Sequence, residues 1–448
     1  MMHIQSFCER YGKWLFLFAL IFTFAYSFFY EVHISNHDYL FYMHFVDEGD
    51  YVKPAMVSGT IWFSKPLWFL LGHKLWMWKV WAWGMACLTA VIPYYALLNK
   101  EQRNKYAYIM ALVVLVLNLR YGLEPPKYAY LFNTIMLTCF VKYVYTNKIG
   151  WVVAVSACAS LIAFVRFPSF FVWPVVIFAM LLLRENWKHS LSVIILPTIF
   201  FIGLVTITNG SIGTYFNKLM GNAEASASGS HSLMNLFHGY VTTTIHAIAY
   251  MTLICLPIFM YGMWKKKESA IFKVGYFLSF LLIAAIMIIH PTEHLSCALT
   301  MAIVLLCAYC NRWDWKGIVL GATIVITNMF CSVGSDCGFV HEYYCVSFIP
   351  FLLLDSKTDN KLKRKTALGN KWSFDIERVM PLFTALVLIL SISTIADKCI
   401  VLGKKYCSGI VSGSELSPNL DYIYFSKQSM RKYSDLQKEY DEDKGLAW

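Results

Sequence analysis

HDYLFYMHFVDEGDYVKPAMVSGTIWFSKPLWFLL, His37 to Leu71, is the stretch on which the reading of the chain turns. It follows an unbroken apolar run, Trp14 to Phe29, and is itself too polar and too proline-marked to be another such run. Aromatics, two prolines and paired charges crowd together in it. That composition suits a segment lying along a membrane surface, with an acid near its start, Asp38, and a lysine near its end, Lys65, between a serine and a proline. A carboxylate can take a proton from an acceptor hydroxyl, and an ammonium can neutralise a departing phosphate.

The rest of the chain supports a membrane setting. Of 448 residues, 58% are hydrophobic and only 15% are charged, with a mean hydropathy of +0.53. Soluble domains carry roughly a quarter charged residues, so a soluble globular class is excluded. The 15 Trp and 28 Tyr fit many helix ends settling among lipid headgroups. A net charge of +11 is explained by short basic clusters between apolar runs, the signature of cytoplasmic loops, and no nucleic-acid partner is expected. The first apolar run is too long for a cleaved signal and is read as a retained helix.

Windows of roughly 20 apolar residues place spans near 12–30, 76–97, 106–120, 128–146, 150–166, 167–183, 190–207, 240–263, 273–289, 295–310, 317–332, 342–354 and 379–397. The expected fold is therefore an all-α polytopic membrane protein with about thirteen spans and interfacial helices in its first outer loop. The basic clusters Lys100/Arg103/Lys105, Lys148, Arg184/Lys188, Lys265–Lys267 and Lys361–Lys365 all fall on one side. This puts the N-terminus in the cytoplasm and the C-terminus outside. Residues 1–397 form the transmembrane domain, with a first outer loop at 31–75 and a flexible outer loop at 208–240, rich in Ser, Gly and Ala; 398–448 form a short extracytoplasmic tail.

The order Asp38, Tyr42, Gly49-Asp50-Tyr51, Pro54, Gly59, Phe63, Lys65-Pro66-Leu67 resembles the first extracytoplasmic loop of the GT-C glycosyltransferases, above all the lipid A aminoarabinose transferase and the protein O-mannosyltransferases. The likeness covers about the first sixth of the chain by motif and the remainder by topology. It implies inverting transfer of a sugar from a polyprenyl-phosphate donor to a lipid, glycan or protein acceptor at a site outside the bacterial cytoplasmic (inner) membrane. An endoplasmic reticulum membrane would obey the same charge rule. Asp38 takes the place of the family's catalytic acid and Lys65 that of its phosphate-binding lysine. Where the family often has an acidic residue before the lysine, this chain has Ser64.

Other candidates follow from placement. Glu124, in the outer turn Arg120–Lys127, stands where related enzymes carry a second acid, and two carboxylates in one cavity raise one pKa toward neutrality. Arg120 and Arg166 are further donor-phosphate candidates, and Lys127 either joins them or anchors a helix end. His37, Tyr42, His290, Glu293, His341, Glu342 and Tyr343 are cavity-lining candidates from outer turns. His290-Pro-Thr-Glu-His294 spells a zinc-protease motif, but Pro291 and the short turn argue against a metal helix. No cofactor is required: a divalent metal stays open but no motif supports one, and without a Gly-rich phosphate loop no nucleotide is expected. Cys331 with Cys337 and Cys399 with Cys407 are spaced for local disulfides or free thiols. A polysaccharide polymerase or ligase, or a flippase for a lipid-linked glycan, would share the topology. The first would place its key residues in late loops. The second would need more intramembrane charge than Lys142 and Arg166 supply.

Overall fold

A computed structural model describes residues 2–29, 45–46, 55–70, 72, 74–118, 125–227, 233–289, 293–309, 315–331, 333, 342–353, 376–407, 409–416 and 422–442. They are almost wholly helical. The chain runs through α1 (Met2–Phe29), a 3₁₀ turn (Ala55–Val57), α2 (Ser58–Leu70), α3 (Leu75–Leu97), α4 (Lys100–Leu117), α5 (Pro125–Thr146) and α6 (Ile149–Val165). A second 3₁₀ turn (Phe167–Phe171) leads into α7 (Val172–Leu182), followed by α8 (Trp187–Asn209), α9 (Ile212–Ala227), α10 (Leu233–Lys267), α11 (Ala270–Ile289), α12 (Glu293–Tyr309) and α13 (Trp315–Cys331). The last elements are a 3₁₀ helix (Glu342–Phe348), α14 (Ile349–Leu352), α15 (Ile376–Tyr406), the strands β1 (Ile410–Ser412) and β2 (Tyr424–Ser426), and α16 (Lys427–Glu442).

Six helices contain stretches long and apolar enough to cross a membrane: Ser6–Phe29, Leu75–Leu97, Trp187–Asn209, Phe237–Trp264, Ala270–Ile289 and Met380–Tyr406. Ile149–Val165, Phe167–Leu182, Ala298–Cys307 and Trp315–Cys331 are shorter apolar helices. This is the build of a helical membrane protein. The expected span 342–354 is not one α-helix: seven 3₁₀ residues, about 14 Å, lead into the four residues of α14, about 6 Å more. The expected span 167–183 keeps just 11 α-helical residues, about 16 Å.

Packing centres on α4. It opens with a capping box between Asn99 and Gln102, and every residue from Tyr106 to Leu117 is buried. Helix α1 lies against it so closely that a Cβ on Gly12 would stand 2.7 Å from the backbone nitrogen of Tyr108. Tyr108 Oη also meets Thr384 Oγ1 of α15 at 3.0 Å. Helices α5 and α6 form an antiparallel hairpin closed by Asn147 in the left-handed region (φ 51°), where its N–H bonds Tyr143 O at 2.7 Å. Pro197 inside α8 has no N–H for the carbonyl four residues back. The indole of Trp173 on α7 takes that carbonyl, Val193 O, at 2.6 Å, while Ser160 Oγ of α6 donates to Pro197 O at 2.8 Å.

The two ends of the bundle differ. At one, aromatic rings receive cations in six pairs, Arg10/Tyr11, Arg103/Tyr95, Lys105/Tyr106, Lys142/Trp151, Lys188/Trp187 and Lys273/Trp264. These are side chains whose apolar stems lie along the protein with the charge at its rim. At the other end the tail docks. β1 and β2 pair antiparallel with Val411 opposite Phe425. Ile423, Phe425 and Met430 are buried in the main core, and Tyr406 Oη donates to Phe29 O and Tyr424 O. Phe29 stacks on Tyr424, and Trp76 meets Tyr422 edge-on.

Two expectations change, and one that the sequence left open is decided. The segment expected to be a flexible loop at 208–240 contains α9, whose Tyr215 and Leu219, one turn apart, bury against Ala55, Phe164 and Val205. The boundary at 397/398 falls inside α15, which runs on to Tyr406. Cys399 and Cys407 are free and exposed; eight residues along α15 and its end separate them by about 12 Å, beyond disulfide reach. Cys331 is a free buried thiol, and Cys337 lies outside the described residues.

Candidate functional site

Of the sequence candidates, Asp38, His37, Tyr42, Arg120, Glu124, His290 and His341 lie outside the described residues. Glu293 is the first residue of α12, and Glu342 and Tyr343 open the 3₁₀ helix before α14. Lys65 and Arg166 are described in full, and both sit at the tail-bearing end of the bundle.

Lys65 owes its position to the clamping of α2 onto α6. Gly59 lies where any Cβ would meet Phe164 at 2.5 Å, and Thr60 Oγ1 donates to Val165 O at 2.8 Å. Phe63 packs against Tyr128, Phe132 and Phe164. Ser64, fully buried, shares a 2.8 Å hydrogen bond with Tyr128 Oη, which also accepts from Trp81 Nε1 at 3.3 Å. A carboxylate at position 64 would be buried beside a phenol, so serine is a structural tie here. One residue on, Lys65 is half-buried, with its Nζ 6.0 Å from the centre of the Phe69 ring and no hydrogen bond or ion pair among the described residues. Its charge is therefore held in place without a counter-charge there.

Arg166 behaves differently. It is 8% exposed, and its Nη1 donates to Cys331 O (2.9 Å), Val333 O (2.7 Å) and Ser169 Oγ (3.1 Å). Ser169 Oγ in turn donates to Cys331 O at 2.7 Å. A guanidinium set against the carbonyl end of α13 is favoured by the helix dipole and satisfies otherwise orphaned acceptors. These bonds account for the burial of Arg166 by a structural tie.

Two lysines stand out beside these. Lys127, in the first turn of α5, is 4% exposed and within electrostatic reach of Cys87, whose Sγ is 4.0 Å from Asn118 Nδ2 at the end of α4. Lys79 was not among the sequence candidates. It is 1% exposed on α3 and donates to Ser27 O near the end of α1 at 3.1 Å. The signal for Lys79 was there to read: a lone lysine in the apolar run Trp76–Trp83.

Beyond the clamp, Tyr215 on α9 touches the rings of Phe167 and Phe201, and its hydroxyl has no partner among the described residues. Burial pushes its phenol above the ordinary tyrosine range. No group of three or more potential metal ligands occurs among the described residues. The class these features define is a helical membrane-type protein with a cation-bearing, aromatic-walled end. Comparison with protein-family models, with curated proteins and with solved structures finds no match for this chain.

Proposed function

We propose that the chain is an integral membrane glycosyltransferase of GT-C type that moves a sugar from a polyprenyl-phosphate carrier to an acceptor hydroxyl on the extracytoplasmic side. The observation that carries this reading is Lys65, fixed by the clamp of α2 on α6 and without an anionic partner among the described residues. A cation so placed at the end of an apolar bundle suits a lipid phosphate, whose tail stays in the bilayer while its charge meets the lysine. In this reading the polypeptide crosses the membrane about thirteen times, counting short and polar helices with the long apolar ones. The basic end faces the cytoplasm, and the tail and site face outward.

The chemistry needs three roles. Asp38 accepts the proton of the acceptor hydroxyl, and the oxygen then attacks the anomeric carbon from the face opposite the phosphate. The carbon–oxygen bond to phosphate breaks, and its electron pair leaves with the lipid phosphate, held by Lys65 with Arg120 and Lys127. Glu124 shares acceptor activation. Arg166 holds the end of α13 beside the site in place of contacting the donor, because its bonds already run to protein carbonyls.

The test is a mass-spectrometric assay of the purified full-length protein with a panel of polyprenyl-phosphate sugars and cell-envelope extract as acceptor. Sugar loss from the lipid is expected in wild type. Asp38→Asn and Lys65→Ala should each lower it by about 100-fold or more while the protein stays folded. Full transfer by Asp38→Asn, or transport of the lipid with no bond made, would overturn the proposal.

A further inference from the structure

Four buried polar side chains on three helices fall in one layer just beneath the Lys65 end. The α5–α6 hairpin sets the register. Asn133 lies 13 residues before the end of α5 at Thr146, and Ile162 lies 13 residues after the start of α6 at Ile149, so the two are level. Ile162 is one turn, about 6 Å, below Arg166. Arg166 is tied to Cys331, the last residue of α13, and Asn328 stands three residues before it, about 5 Å lower. On the other flank, Trp81 of α3 reaches Tyr128, so Cys87, six residues further along a parallel helix, comes level with residue 134. Asn118 approaches Cys87 at that depth.

Asn118, Asn133, Thr134 and Asn328 are each 1% exposed or less. Asn118 Oδ1, Asn328 Oδ1, Thr134 Oγ1 and both polar atoms of Asn133 have no hydrogen-bond partner among the described residues. The amide nitrogens of Asn118 and Asn328 are spent on carbonyls of their own helices, Val114 O and Ile324 O. Buried amides and hydroxyls are normally paired, and a whole layer left open marks a place where a polar partner enters. The open groups are uncharged and include both donors and acceptors, which matches hydroxyls and not a phosphate or a metal ion. Thr134 lies seven residues, two turns, below Lys127 on the same face of α5.

Resting on the reading above, we infer that the Asn118–Asn133–Thr134–Asn328 layer is the subsite for the hydroxyl groups of the donor sugar. The phosphate stays above it at the lysines, and the sugar ring turns inward between α4, α5 and α13.

The experiment measures binding, so it does not depend on turnover. Full-length protein in detergent is titrated with C55 polyprenyl phosphate and with the same lipid carrying a hexose, an aminosugar or a pentose, read by native mass spectrometry. Wild type should bind at least one sugar-bearing lipid about tenfold more tightly than the bare phosphate. Thr134→Val and Asn328→Leu replace the open polar groups with apolar groups of similar size. Each should cut that preference to near unity, with affinity for the bare phosphate and the melting temperature held or raised. Two separate variants keep the test sound if one fails to fold. Unchanged preference in both variants would overturn the subsite and leave the transferase reading standing. Failure to bind any polyprenyl phosphate would overturn both.

Discussion

Helices α4 and α11 invert what a soluble protein would lead one to expect. α11 is among the most apolar helices, yet most of it is not covered by protein, with Leu278 and Leu281 more than half exposed. α4 begins with Lys100, Glu101, Arg103 and Lys105 and is not among the long apolar helices, yet twelve consecutive residues of it are covered by protein. The difference teaches that hydrophobicity here reports the solvent and not the core. A helix facing lipid must be apolar on its exposed side, whereas one surrounded by other helices can carry tyrosines if their hydroxyls find partners. Tyr106 and Tyr108 do, at Leu353 O and Thr384 Oγ1.

The contrast can be broken most sharply by truncation. Leu112→Ala, at a fully buried site on α4, should cost about 3–4 kcal/mol through the cavity it leaves, whereas Leu281→Ala on α11 should cost under about 0.5 kcal/mol. Denaturant titration in mixed micelles checks the pair, and equal losses would mean that α11 is covered in the native assembly. Next, Leu281→Arg should cost about 3 kcal/mol if that face meets lipid and almost nothing if it meets water, read as the fraction of chains inserted. The smallest effect concerns the packed half alone. Trp173→Phe leaves the Val193 carbonyl freed by Pro197 without its indole donor and should cost about 1–2 kcal/mol, with Pro197→Ala partly restoring stability in the double variant. Additive losses would show that the indole is not serving that carbonyl.

Much of the helix inventory was legible. Most of the intervals marked by hydropathy fall on helices, and the basic clusters that fall among the described residues gather at one end of the bundle. α9 was missed because Asn217, Lys218, Asn222 and Glu224 depress its hydropathy, although Tyr215 and Leu219 already stood one turn apart. The 342–354 interval reads as an α-helical span because hydropathy does not register that Glu342–Phe348 is wound as a 3₁₀ helix ahead of four α-helical residues. Among the candidate residues, Lys65 was marked by its spacing, whereas the clamp that holds it is visible only in the fold. Arg166 was legible as an unusual charge, but its partners, the carbonyls of Cys331 and Val333, lie some 165 residues away and have no side-chain signature. The polar layer was not legible at all. Asn118, Asn133, Thr134 and Asn328 belong to no motif.

By itself, then, the sequence determined which segments prefer an apolar solvent, which end of each carries positive charge, and where a lysine follows an aromatic-rich polar stretch. Hydropathy and charge belong to single residues and their near neighbours, so they survive in a linear reading. Which apolar helix faces lipid and which forms the core was decided by tertiary structure, as was the conversion of Arg166 into a tie between helix ends. The alignment of four distant polar side chains at one depth was decided there too. Each depends on the register of one helix against another, which is fixed by close contacts such as Gly12 on Tyr108 and Gly59 on Phe164 between residues far apart in the chain.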